Sequence, residues 1–250
     1  MNNPGQNDLN AVMQRGYAVD IGGFISRGWE IFQQNLGGFV GYTLLMFLAL
    51  IVLSFIPIIG SIGVAIISGP LLAGFYIVAF KLMKGQPVEF GDFFKGFQNT
   101  YFLPVFLTSL VSSLLMLICY LPGLIMVYGS IIAAAATDSQ PNVVLMGIGG
   151  IILLIGLIGV VYLSVSYVFA IPLVIGKKMQ FWPAMESSRK LIGQKWLSFF
   201  AFGVVLFLVY LAGAIACGIG IFFTIPICLC SMAAAYENII GLPTFDPSQA

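Results

Sequence analysis

Six stretches of this chain are almost unbroken in apolar residues, and the polar residues gather between them. The first stretch runs from Leu36 to Ile56 and stops at Pro57-Ile58-Ile59-Gly60, a tight uncharged turn. The second runs from Ser61 to Phe80 and ends at Lys81. A bilayer core takes about 20 residues of α-helix, so this pair predicts a helical hairpin across a membrane. The third, Tyr101–Ala136, and the fourth, Val143–Ile175, flank the polar hexapeptide Thr137-Asp138-Ser139-Gln140-Pro141-Asn142. The fifth, Leu197–Ala216, joins the sixth, Ile219–Tyr236, through Cys217-Gly218.

The third and fourth stretches are too long for one upright span each. As a helix, Tyr101–Ala136 is about 54 Å long, against a hydrocarbon core of about 30 Å. A split at Leu121-Pro122-Gly123 would add a seventh span, but the remainder from Leu124 to Ala136 is short for a crossing. An odd span count would also place Lys177 through Lys195 on the opposite side from the other basic residues. Six spans therefore fit best. The excess length is expected to form a paired helical protrusion, with a tilted or re-entrant segment over residues 121–152 as the alternative.

A short patterned stretch precedes each hairpin. Before the first, Ile21, Ile25, Gly28, Trp29, Phe32 and Leu36 follow helical spacing, with Arg27, Glu30, Gln33 and Gln34 between them. Before the second, Phe90, Phe93, Phe94, Phe97 and Tyr101 do the same, with Glu89, Asp92, Lys95 and Gln98 on the other face. Before the third, Phe181, Met185, Ser188, Ile192 and Trp196 form a stripe near Glu186, Arg189, Lys190 and Lys195. Aromatics on one helical face and charges on the other suit a membrane interface. The predicted fold is thus all-α: a polytopic membrane bundle of six transmembrane helices, in three pseudo-repeats of amphipathic helix plus helical hairpin. An ungapped offset of 160 matches Gln34 with Gln194, Phe39 with Phe199, Gly60 with Gly220 and Tyr76 with Tyr236. The repeated layout is the better argument.

Charge fixes the expected orientation. All ten Lys and Arg lie in three places: Arg15 and Arg27; Lys81, Lys84 and Lys95; and Lys177, Lys178, Arg189, Lys190 and Lys195. Positive residues are retained on the cytoplasmic side, so both termini are expected there, with Asp138 alone in an outer loop. Residues 1–19 read as a flexible cytoplasmic tail, 20–241 as the membrane domain and 242–250 as a second short tail. The tail ahead of the first span has no apolar core of its own, so that span reads as uncleaved. Of the 250 residues 60% are hydrophobic and 8% charged, far below the roughly 25% charge of a soluble domain. The net charge of +1 argues against nucleic acid as a partner.

The chemistry available is sparse. The chain has no His, which removes imidazole metal ligation and Ser–His hydrolysis. None of the nine acidic residues falls in the middle of a predicted span, which argues against an ion or proton path. Cys119, Cys217, Cys228 and Cys230 sit in or beside apolar stretches, and Cys228 and Cys230 point apart on a helix, so they read as packing residues. The intramembrane polar atoms are hydroxyls, including Ser54, Ser68, Thr108, Ser164, Ser166 and Thr224. Ser109, Ser112 and Ser113 share one side of a helix, where they read as helix-packing contacts before a binding site. The glycines Gly37 and Gly41, and those dotting the fourth stretch, read as points of close helix approach. No catalytic, cofactor-binding or metal residues are expected. Lys177, Lys178, Arg189, Lys190 and Lys195 are the candidate contacts for anionic lipid, each worth about 1 kcal/mol near such a surface.

Ser26-Arg27-Gly28-Trp29-Glu30-Ile31-Phe32, Phe90-Gly91-Asp92-Phe93-Phe94-Lys95-Gly96-Phe97 and Ser187-Ser188-Arg189-Lys190-Leu191-Ile192 each precede a hairpin. With Cys217-Gly218-Ile219-Gly220 and Ala235-Tyr236-Glu237-Asn238-Ile239, they give residues 20–241 a layout that resembles uncharacterised bacterial six-span inner-membrane proteins. It is similar to the membrane domain of glycerophosphoryl diester phosphodiesterases. The resemblance implies a six-helix fold in a bacterial cytoplasmic membrane and no activity, because those relatives carry their chemistry on a separate soluble domain. The expectation is a non-catalytic membrane protein that organises lipid or partner proteins, with membrane lipids as partners and a protein partner or homo-oligomer as a further prospect. The alternative is a carrier or channel for a lipid or other neutral small molecule.

Overall fold

The apolar stretches become helices, and their ends follow the polar punctuation closely. The computed structural model describes residues 4–56, 59–215 and 218–242, and every regular element among them is helical. In chain order these are α1 (Pro4–Arg15), α2 (Ile21–Gln34), α3 (Leu36–Ser54), α4 (Ile59–Met83), a 3₁₀ helix (Phe90–Phe97) and α5 (Asn99–Ala136). There follow α6 (Val143–Ser166), α7 (Ala170–Lys177), α8 (Phe181–Gly193), α9 (Trp196–Ile215) and α10 (Ile221–Ile240). Among the described residues six helical segments are long and apolar enough to cross a membrane, which makes this an all-α, multi-pass architecture. The Pro57-Ile58 part of the first turn, Cys217, and the tail from 243 onward lie outside the described residues.

The core surrounds one half of α4. Leu71, Ala73 and every residue from Phe75 to Phe80 are buried, so this half of α4 is covered on all sides. Helices α2, α3, α5, α7 and α10 and the 3₁₀ helix all pack on α4. A helix apolar all round belongs in such a position. Phe39, Tyr42, Phe75 and Phe93 form one aromatic cluster, with ring centroids 4.6–6.3 Å apart in the contacting pairs. The Tyr42 hydroxyl donates to the Leu71 carbonyl at 3.0 Å, so its one polar atom is satisfied inside the cluster. Away from this core, large apolar side chains such as Leu48, Ile118, Leu154 and Phe207 remain exposed, as lipid-facing positions do.

The third apolar stretch is one helix. α5 continues from Asn99 to Ala136 through Pro104 and Pro122, without a break at Leu121–Gly123. α6 packs along it, and Ser130 Oγ donates to the Asn142 carbonyl at 3.3 Å to close the pair near its tip. The Asn142 side chain caps α6 by accepting from the Leu145 N–H at 3.1 Å. The fourth stretch, by contrast, does break. α6 ends at Ser166, three turn residues follow, and α7 begins at Ala170. Phe169 and Gly176, at the two ends of α7, both lie against Tyr236.

The short elements depart from the expected pattern in three ways. First, residues 1–19 were expected to be a loose tail, yet α1 packs on α8 and α10 and buries Leu9 and Val12. The Tyr17 hydroxyl donates to the Leu191 carbonyl at 2.6 Å, and Gln194 Nε2 donates to the Met13 carbonyl at 3.2 Å. Two apolar residues at i and i+3 were enough to dock a polar segment. Second, α2 buries Phe24, Gly28, Ile31 and Phe32, whereas Trp29 and Leu36 of the expected stripe face outward. Third, Phe90–Phe97 forms a 3₁₀ helix, not an α-helix. At three residues per turn the expected stripe splits: Phe93 and Gly96 go inward, while Phe90, Phe94 and Phe97 stay exposed.

Candidate functional site

The candidate lipid-contact residues occupy two elements that pack on each other. Lys177 closes α7, and Lys178 follows in the left-handed region at φ 49°, exposed at the α7–α8 corner. Arg189 and Lys190 lie on the exposed side of α8, and Lys195 is exposed at the corner before α9. They are not all uncommitted cations. Arg189 binds Glu186 through two hydrogen bonds of 3.0 and 2.9 Å, and Lys190 Nζ lies 3.3 Å from the same carboxylate. These hydrogen bonds hold the Glu186 carboxyl below its usual range. Glu186 therefore offsets part of the positive field that the sequence suggested, and Lys178 and Lys195 are exposed at its two corners.

The break in the fourth span is built from a residue that the sequence placed in a helix stripe. Ser188, fully buried on α8, donates to the Ser166 carbonyl at 2.8 Å and accepts from the Phe169 N–H at 3.2 Å. One hydroxyl thus satisfies two of the backbone groups at the break, one carbonyl and one N–H. Irregular backbone beside apolar spans needs this kind of internal partner, because lipid offers none.

Beside the break lies a cleft of about 300 Å³ between α4, α5, α6 and α7. Its polar lining is made of hydroxyls: Ser68, Thr108, Ser109, Ser112, Ser113, Ser164 and Tyr167. No charged residue lines it. Thr108 Oγ1 donates to the Pro104 carbonyl at 2.8 Å, which leaves its lone pairs as acceptors. Ser109 Oγ is shielded against Gly69 and has no hydrogen-bond partner. Gly69 matters here because a side-chain carbon at that position would meet Ser109 Oγ. Ser68 is nine residues from the start of α4, about 14 Å along the helix, so the cleft lies within the spanning segments. Its chemistry is that of a weakly polar, uncharged hydrogen-bonding wall open toward lipid-facing surface.

A second polar feature joins α4 to the 3₁₀ helix. Asp92, whose side chain is 5% exposed, accepts from Lys81 Nζ at 2.6 Å and lies 3.2 Å from Lys95 Nζ. The Glu89 N–H also donates to it at 2.8 Å. Burial alone would push the Asp92 carboxyl up, but the bonds to Lys81, Glu89 and Lys95 outweigh it and hold the group below the usual range. Arg27 makes a looser bridge from α2, to Glu30 at 3.1 Å and to Glu237 of α10 at 3.4 Å.

The serines of α5 were visible in the sequence, and their shared side was read correctly. Ser68, Ser164 and Tyr167 reach the same cleft only through the packing of three other segments. The early hint for the break was a run too long for one span. No protein-family model matches the chain, and comparison with curated proteins and with solved structures likewise finds no match.

Proposed function

We propose that this chain is a non-catalytic integral membrane protein that organises lipid, and that the hydroxyl-lined cleft receives the polar end of a neutral lipid or similar lipid-soluble molecule. The observation that carries this reading is the convergence of seven hydroxyl side chains on one uncharged cleft within the spans. Ser68 and Thr108 already donate to carbonyls one turn back, so the wall offers acceptors, which a ligand with hydroxyl or amide donors would use. The absence of charge from the lining disfavours an ionic ligand. The proposed resemblance of the sequence layout to the phosphodiesterase membrane domain would fit a unit without chemistry of its own. We place the protein in a bacterial cytoplasmic membrane with both termini and the basic clusters on the cytoplasmic side. The grouping of all ten Lys and Arg supports that side.

The test is photocrosslinking in lipid nanodiscs with a diazirine-bearing diacylglycerol. Labelling is expected on peptides covering 108–116 and 164–171. Replacing Ser112 and Ser113 with Val should lower it about fivefold, the equivalent of one net hydrogen bond of about 1 kcal/mol. Labelling spread evenly over the exposed faces of α3 and α9, or unchanged in the double variant, would defeat the reading. The broken fourth span favours a second reading, a carrier for the same class of molecule, since interrupted helices beside a cleft can move against each other. Accelerated exchange of a fluorescent diacylglycerol between the leaflets of reconstituted vesicles would select it.

A further inference from the structure

A cleft of about 500 Å³ opens beside the Asp92 ion pair, well apart in sequence and chemistry from the hydroxyl cleft. Lys81, Glu89, Asp92, Phe94, Lys95 and Gln98 line it. The two lysines converge on Asp92, at 2.6 and 3.2 Å, and the Asp92 carboxylate is almost wholly enclosed between them. Two cations around one enclosed anion leave the inner part of the cleft with a surplus positive charge. An ammonium has three donors, so its bond to Asp92 does not exhaust Lys81. Glu89, at the exposed start of the 3₁₀ helix, puts a carboxylate at the rim, where it also faces the Asp92 N–H in a capping box, a role that Gln can keep. The cleft is therefore dipolar: cationic within, anionic at its edge, and neutral in sum.

The rim is also apolar. Phe90, Phe94 and Phe97 are exposed on the same 3₁₀ helix, and Phe94 forms part of the wall. Three exposed phenylalanines beside a charged cleft are poorly suited to water but well suited to the level where acyl chains meet headgroups. The split of the aromatic stripe by 3₁₀ geometry puts them there.

We propose that this cleft is a binding site for the headgroup of a zwitterionic phospholipid that carries both a phosphate and an ammonium. The phosphate lies on Lys81 and Lys95, the ammonium faces Glu89, and the acyl chains run over Phe90, Phe94 and Phe97. A purely anionic headgroup gains the lysines but meets Glu89. An uncharged glyceride gains neither. A soluble phosphate ester makes no use of the aromatic rim, which is why a lipid is the favoured source of the headgroup.

The experiment is native mass spectrometry of the purified full chain, titrated separately with phosphatidylethanolamine, phosphatidylglycerol and diacylglycerol. Free phosphoethanolamine serves as a competitor. Because diacylglycerol also enters the hydroxyl cleft on the reading above, the titrations are made in the Ser112→Val, Ser113→Val background, where phosphatidylethanolamine is expected to be retained about tenfold better than diacylglycerol, the size of one charge-assisted hydrogen bond. Lys95→Gln should abolish that margin. Glu89→Gln, an exposed change that leaves the buried ion pair intact, should erase the preference for phosphatidylethanolamine over phosphatidylglycerol. Equal retention of the three lipids, a preference for phosphatidylglycerol in the unaltered protein, or no effect of Glu89→Gln overturns the proposal. So does displacement of the lipid by free phosphoethanolamine at equal concentration. If Lys95→Gln fails to fold, Glu89→Gln alone decides. The diacylglycerol crosslinks at 108–116 are read independently, so the two sites stand or fall separately.

Discussion

At the scale of single residues, a few polar atoms hold together what lipid could not. Ser188 supplies both a donor and an acceptor to the broken fourth span. Asp92 does the equivalent with charge, tying the 3₁₀ helix to α4 through Lys81. Its folded-state pKa is lowered, so the stabilisation it gives is fully present above the ordinary aspartate range and is lost as pH falls through the folded value. Asp92→Asn should therefore lower the melting temperature in detergent at pH 7, because Lys81 is left buried without its counter-charge. Breaking one partner of a buried pair costs about 3–5 kcal/mol. Below about pH 4, where an unfolded aspartate protonates, the gap between the variant and the unaltered protein should begin to narrow, and it closes as pH falls through the lower folded value. A gap that stays constant from pH 7 to pH 3 would show that the carboxylate charge contributes nothing.

At the scale of elements, close approach between helices depends on a few glycines, and not on those with the familiar spacing. Gly37 has no neighbour within reach of an added side-chain carbon, and Gly41 has only a loose contact with Phe90. The intimate crossings are elsewhere: Gly28 of α2 against the Ser231 backbone, Gly74 of α4 against the Phe93 carbonyl, and Gly156 of α6 against the Cys119 carbonyl of α5. The last of these sets the α5–α6 hairpin. Gly156→Val should force the two helices apart and destabilise the protein by about 1–3 kcal/mol. Gly147→Val, on the same helix with open space around it, should leave thermal unfolding unchanged. Equal effects of the two substitutions would mean that packing between α5 and α6 is not what Gly156 provides.

At the scale of the whole molecule, charge and length set the layout. Helix α5, at 38 residues, is about 57 Å long, nearly twice a bilayer core. It carries no charged residue before the Asp138 turn, and its far half remains apolar on the outside, with Ile125 and Ile132 exposed. On the proposed topology, a cysteine placed at Ser139 should react in intact cells with a membrane-impermeant maleimide, while one at Lys84 should react only after permeabilisation. Protection of the Ser139 position in intact cells, or reaction at Lys84, would reverse or remove that arrangement. The hairpin's excess length also separates standing from tilted arrangements: a protruding pair exposes positions near Tyr128 to the same reagent, and a steeply tilted pair hides them.

The sequence alone determined the class of protein, the number of spans and the ends of several of them, because a 20-residue apolar run between polar turns has one stable solution in a bilayer. Leu36–Ser54 and Trp196–Ile215 differ from the expected runs by a residue or two. The serines of α5 and the basic clusters were also legible, since each lies close together along the chain. The tertiary structure decided the rest. Whether Phe90–Phe97 winds as an α- or a 3₁₀ helix depends on Asp92 meeting Lys81 and on Gly96 meeting Pro70, contacts that helical periodicity does not encode. The docking of α1, the break after Ser166 and the joining of Ser68, Ser164 and Tyr167 to the α5 serines share that cause. Each depends on partners distant in the chain, which only the packing of several helices brings together.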